Sequence, residues 1–102
     1  MPANITAVAH YVPDDVFPNS YFEDKIDTSD EWIRTRTGIR ERRFLLNGAT
    51  SDLIVPAAKQ GLEQRGITPQ DIDCVIVCTV TPDNMFPSTA ATVQRKLGLT
   101  NA

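Results

Sequence analysis

Thr28, Trp32 and Arg36 are spaced i, i+4, i+8, which on a helix aligns three side chains along one face. A hydroxyl, an indole plane and a guanidinium in a row could form a wall for a nucleotide. The indole stacks on a base, the guanidinium meets phosphate, and the hydroxyl bonds a base edge. The same spacing also suits a helix that Trp32 anchors to a core while Arg36 stands in water. Arg34, Arg36, Arg40, Arg42 and Arg43 place five of the ten Lys and Arg residues in one stretch, opposed only by Glu41. In a chain of net charge −3 this is a local positive patch. It suits an anionic ligand, such as a phosphate-bearing cofactor or an acidic carrier protein. Cations at a helix C-terminus beside a solvated strand face give the same pattern.

Nucleophile and metal chemistry have less to draw on. His10, the only histidine, falls in a run that reads as a strand and is taken as a plain strand residue. Cys74 and Cys78 share one apolar run. On an extended strand they face the same way, too far apart for a disulfide. With no second Cys/His pair they form no zinc site, and they read as buried, reduced thiols. Apolar residues at 41% and charged residues at 23% of 102 positions are ordinary for one small globular domain. The negative net charge argues against a general nucleic-acid binder. No apolar run has the length of a membrane span, and no secretory signal pattern opens the chain. The cytoplasm is the default location.

The elements that must position these residues follow from periodicity and capping. Ile5–Val12 and Asp73–Val80 read as strands, the second apolar on both faces and so expected to be covered on both sides. Pro18–Ser20 opens a short helix through Ile26, capped by Asn19 or Ser20. Thr28 or Ser29 caps a second helix, with Asp30 and Glu31 complementing its dipole and Gly38 ending it. Arg40–Leu46 is a strand or an extended segment. Thr50–Arg65 is a helix capped by Thr50 or Ser51 and stopped by Gly66, with a kink or frayed first turn expected at Pro56. A turn begins at Thr68-Pro69 and a loop covers Thr81–Phe86. Pro87–Leu97 then forms the last helix before Gly98. Helices alternating with apolar strands predict an α/β layered sheet, with Leu99 entering a further strand.

Asp27–Arg43 (DTSDEWIRTRTGIRERR) is similar, close to residue for residue, to a pattern of the β-ketoacyl-[acyl-carrier-protein] synthase III family. Three further stretches follow in the same order. SDLIVPAAKQGLEQRGI resembles the family's Ala-rich helix ending in Gly. DIDCVIVCTVTPDNMFPSTA resembles its central strand and Phe-Pro-Ser turn, and TVQRKLGL the helix leading toward the nucleophile strand. The resemblance runs from Ile5 to Leu99. It implies a thiolase-like αβαβα layered fold, incomplete in this chain, with residues 1–102 as the N-terminal part of the first half-domain.

The resemblance also implies an acyltransferase that condenses an acyl-CoA of the acetyl type with malonyl-ACP to start fatty acid synthesis. It would be a cytoplasmic homodimer, with acyl-CoA and acyl carrier protein as partners. It would use no metal and no cofactor beyond the coenzyme A thioester it consumes. Matched residue by residue, Thr28, Trp32, Arg36 and Thr37 are the family's coenzyme A contacts. Trp32 would stack on the adenine, Thr28 bond near it, and Arg36 and Thr37 line the nucleotide entrance. Phe86 matches the residue that lines the partner subunit's acyl pocket in the family dimer. The catalytic Cys, His and Asn match no residue here: Cys74 and Cys78 sit mid-strand and His10 lies in the first strand. The nucleophile is expected shortly after Ala102, so the chain is expected to be an N-terminal portion, inactive by itself. A low-pKa thiolate and an oxyanion site would come from outside these residues. Two other readings stay open: a stand-alone nucleotide or carrier-protein binding module, and a related acyl-CoA condensing enzyme or acyltransferase of secondary metabolism.

Overall fold

A computed structural model describes residues 2–102. They divide into two compact units, Val12–Asn47 and residues 2–11 joined with Gly48–Ala102.

In the Val12–Asn47 unit, strand β1 (Val16–Pro18) pairs antiparallel with β2 (Glu41–Arg43), in the register Val16 with Arg43, Phe17 with Arg42 and Pro18 with Glu41. Helix α1 (Ser20–Glu23) and helix α2 (Asp30–Thr37) lie between them in the chain. α1 is shorter than the helix through Ile26 that the sequence predicts, and the Asn19 side chain makes no cap to it. The Asn19 amide is committed elsewhere: Nδ2 donates to Asp30 Oδ1 at 3.0 Å and to the Ile39 carbonyl at 2.7 Å. Asn19 is fully buried, and these two bonds link the start of α1 to both ends of α2. Phe17 packs edge-on against Tyr21 and Phe44, at 4.8 and 4.9 Å between centroids.

In the other unit, α3 (Thr50–Arg65) packs against α4 (Thr89–Leu97). Their shared core is Val93, Leu97 and Leu99, flanked by Ile54, Val55, Ala58, Ile72, Val75 and Val77. The first turn of α3 is formed, and the helix runs through Pro56 without interruption. Its cap position is Ala49, not Thr50 or Ser51. The Asp52 carboxylate accepts from Ala49 N–H at 2.9 Å, while Thr50 and Ser51 spend their hydroxyls on other segments. α4 starts at Thr89, two residues later than predicted, because Ser88 Oγ accepts from Ala91 N–H at 3.2 Å and takes the cap. Gly98 stops it at φ 68°, a left-handed conformation that glycine adopts without a Cβ clash. Leu99 is buried but enters no strand; Thr100 and Asn101 form a turn.

The two long strands predicted at Ile5–Val12 and Asp73–Val80 are not part of any ladder. The β1–β2 pair is the only sheet among the described residues. An apolar cavity of ≈ 420 Å³ is lined by Ile5–Ala7, Cys74–Val77 and residues of α3 and α4. The expected two-sided cover of Asp73–Val80 also fails within this chain. Val75 and Val77 pack on the core, while the alternate residues face water, with Ile76 at 81% exposure. Cys74 and Cys78 lie on that open side as free, exposed thiols, not buried ones.

Candidate functional site

α2 is fixed at both ends by local chemistry. Ser29 is extended, and its Oγ accepts from Trp32 N–H at 3.1 Å, one of the donors a helix start leaves unpaired. Asp30 receives Arg34 Nε at 2.9 Å as well as the Asn19 amide. At the other end Thr37 Oγ1 donates to the Ile33 carbonyl at 2.6 Å and accepts from Ile39 N–H at 3.1 Å, and Gly38 turns the chain at φ 74°.

The face that α2 buries belongs to Ile33, 6% exposed, and not to its neighbour Trp32, 53% exposed. The core-anchor alternative for Trp32 is therefore excluded in this unit. The Arg36 guanidinium lies over the Trp32 ring at 5.0 Å from its centroid. Such a contact contributes about 0.5–1 kcal/mol at an exposed site. Trp32 and Arg36 are thus brought together as the i, i+4 spacing predicts. Thr28 is not on the helical face: it precedes the extended cap residue Ser29 and is half-buried. Thr37 stands at the end of α2 with its only proton given to Ile33, so toward a ligand its hydroxyl can only accept.

The five arginines divide. Arg42 lies over the Phe22 ring at 4.6 Å, and Arg43 donates to the Pro13 carbonyl at 3.0 Å. Both hold the β1–β2 region. Arg34, already paired with Asp30, shares a polar recess with Glu31, Thr35, Gly38 and Arg40. The patch is accordingly part structural and part available.

Phe86 belongs to the other unit, in the loop before α4, and is 91% exposed beside a fully exposed Met85. The loop itself is clamped. Ser51 donates through both N–H and Oγ to the two oxygens of Asp83, at 2.8 and 2.5 Å. Lys96 Nζ donates to Ser51 Oγ at 2.6 Å and to Asp52 Oδ1 at 2.7 Å. The Lys96 bond and the bond from Ala49 hold the Asp52 carboxyl below its ordinary range. Sequence reasoning saw Ser51 only as a possible cap and missed Asp83, Lys96 and the bridging role of Asn19. Their partners lie 11 to 45 residues away, beyond any local pattern. His10 is exposed, and among the described residues no His, Cys, Asp and Glu side chains group as a metal site. No helix there is long and apolar enough to cross a membrane.

No family model matches the chain. It is 52% identical over 100 residues to a β-ketoacyl-[acyl-carrier-protein] synthase III of Streptococcus thermophilus, covering 98% of this chain and 31% of that protein. Its backbone matches the crystal structure of a 3-oxoacyl-[acyl-carrier-protein] synthase III from Aquifex aeolicus with a TM-score of 0.89 at 39% identity, over 95% of this chain and 32% of that one. The corresponding Thermus thermophilus synthase III gives 0.86 at 48% identity, over 98% and 31%. The chain therefore spans about a third of the length of the proteins it matches. Sequence and backbone alike make these 102 residues similar to β-ketoacyl-[acyl-carrier-protein] synthases III, whose thiolase-type layered fold they share over that third.

Proposed function

We propose that this chain forms part of the coenzyme A entrance of a β-ketoacyl-ACP synthase III, which condenses an acyl-CoA of the acetyl type with malonyl-ACP. The single observation that carries the reading is the half-exposed indole of Trp32 with the Arg36 guanidinium over it. An adenine stacks on the part of the ring that the guanidinium leaves open, and a phosphate beside it meets a cation already held in place. Thr28 contributes beside the start of α2. Thr37 contributes as an acceptor and by holding Ile39 N–H. Phe86, exposed on its loop, is assigned to the acyl pocket of a partner subunit in a homodimer. Acyl carrier protein is the second partner, the cytoplasm the location, and the coenzyme A thioester a substrate with no further cofactor. Residues 1–102 serve as the N-terminal part of the first thiolase-like half-domain.

The chemistry of this reaction needs a thiolate nucleophile and groups that stabilise the carbanion and oxyanion. Those roles fall outside these 102 residues, so the chain alone is expected to catalyse no condensation. The test is made in the full-length protein. Trp32→Ala raises KM for acetyl-CoA and leaves KM for malonyl-ACP unchanged; an unchanged KM for acetyl-CoA refutes the entrance. Condensation by the purified 102-residue chain would refute its dependence on the rest.

A second reading has one observation in its favour: Trp32, Arg36 and Thr37 all lie within one compact unit, Val12–Asn47. A stand-alone nucleotide or carrier-binding module requires that coenzyme A bind the 102-residue chain and that Trp32→Ala abolish binding. A related condensing enzyme or acyltransferase of secondary metabolism is separated by the acyl-CoA and acceptor that the full-length protein turns over.

A further inference from the structure

The loop that carries Phe86 is held at both ends and bare in the middle. Before the tip, Thr50 Oγ1 donates to the Thr81 carbonyl at 2.5 Å, and Ser51 grips both oxygens of Asp83. After it, Asp83 N–H donates to Thr89 Oγ1 at 3.0 Å, and Ser88 caps α4. Between these clamps lie only Asn84–Pro87, all exposed and without a hydrogen bond among the described residues. An apolar tip in water gains no position from its own contacts. A span this short, fixed at both ends, takes its placement from the clamps, which is how preorganisation lowers the ordering cost of a later contact.

The inner clamp is a chain of three side chains. Ser51 is completely buried. It receives the Lys96 ammonium and passes its own proton toward Asp83, so each bond in the chain has a charged member and is strengthened by it. Lys96 projects from α4 and Ser51 from the first turn of α3. The cluster therefore locks the loop to both core helices. Ser51 itself is closed to substrate.

We infer that Ser51, Asp83 and Lys96 are positioning residues for Phe86, and that through it they set which acyl chains the synthase accepts. This rests on the assignment of Phe86 to the acyl pocket. The experiment compares kcat/KM for acetyl-CoA and hexanoyl-CoA in the full-length protein. The ratio of the two cancels any loss of active enzyme, so a purely structural role leaves it unmoved. Phe86→Ala is expected to change the ratio about tenfold, the scale of pocket discrimination between chains differing by methylenes. Asp83→Asn keeps an acceptor for Ser51 N–H and loses the one for its hydroxyl. It is expected to shift the ratio in the same direction by about fivefold and to add nothing further in the Phe86→Ala background. Lys96→Met, which leaves both Ser51–Asp83 bonds, is expected to shift it by about threefold and serves if Asp83→Asn fails to fold. If Phe86→Ala moves the ratio while neither clamp variant does, the positioning inference is overturned and the Phe86 assignment stands. If Phe86→Ala leaves the ratio unchanged, the assignment and the inference fall together.

Discussion

Trp32 and Ile33 are adjacent on α2 and are expected to respond differently to truncation. Ile33 is 6% exposed, and removing such a side chain costs about 2–5 kcal/mol of stability because the cavity collapses only in part. Trp32 is 53% exposed. A tryptophan that buries roughly half of its ~200 Å² payload loses at most about 2 kcal/mol on truncation. Roughly 0.5 kcal/mol returns because alanine is the better helix former. With the ~0.5–1 kcal/mol of the Arg36 contact also lost, Trp32→Ala costs at most ~2–2.5 kcal/mol of stability. It acts on the nucleotide as well: a base stacked on an aromatic ring is worth about 1–3 kcal/mol, or roughly 5- to 150-fold in affinity. The assay pairs urea denaturation of each full-length variant with its KM for acetyl-CoA. Ile33→Ala should lower the unfolding midpoint strongly and leave KM of the folded enzyme near the parent value. Trp32→Ala should lower the midpoint less and raise KM. Equal stability losses for the two, with KM unaffected by Trp32→Ala, would show that the indole anchors the helix and binds nothing.

Ser29→Ala removes the oxygen that accepts Trp32 N–H and is expected to cost about 1 kcal/mol, with KM for acetyl-CoA rising as α2 frays beneath the indole. Unchanged stability would place the cap elsewhere. Asp52 has a folded-state pKa below its ordinary 3.8, chiefly through the Lys96 hydrogen bond. The unfolded chain therefore binds the proton more readily. The stabilisation is complete above pH 3.8 and is lost as pH falls through the depressed value. Asp52→Asn should flatten this acid limb in denaturation curves between pH 2 and 5, and an unaltered limb would exclude Asp52 as its source. The 102-residue chain by itself carries exposed Ile76, Val80, Met85 and Phe86 and two segments without ladder partners. It should self-associate as its concentration rises, and light scattering that finds only monomer would contradict this.

The local features of this protein were legible in its sequence because they depend on neighbours in the chain. Ser29, Gly38, Gly66 and Gly98 bound helices as their chemistry predicts, and the i, i+4 spacing alone brought Arg36 over Trp32. Thr28 was misplaced because helical spacing was extended one turn beyond a cap that leaves the helix. Asp73–Val80 showed its apolar residues but not their partners. Alternation specifies which face packs, and it carries no information about which strand lies alongside or what covers the other side. Tertiary structure alone decided that Cys74 and Ile76 face outward, that Asn19 joins the two ends of α2, and that Lys96 reaches Ser51 and so clamps the Phe86 loop. Asn19 and Lys96 reach partners 11 to 45 residues away, so only the packing of distant segments brings those groups together.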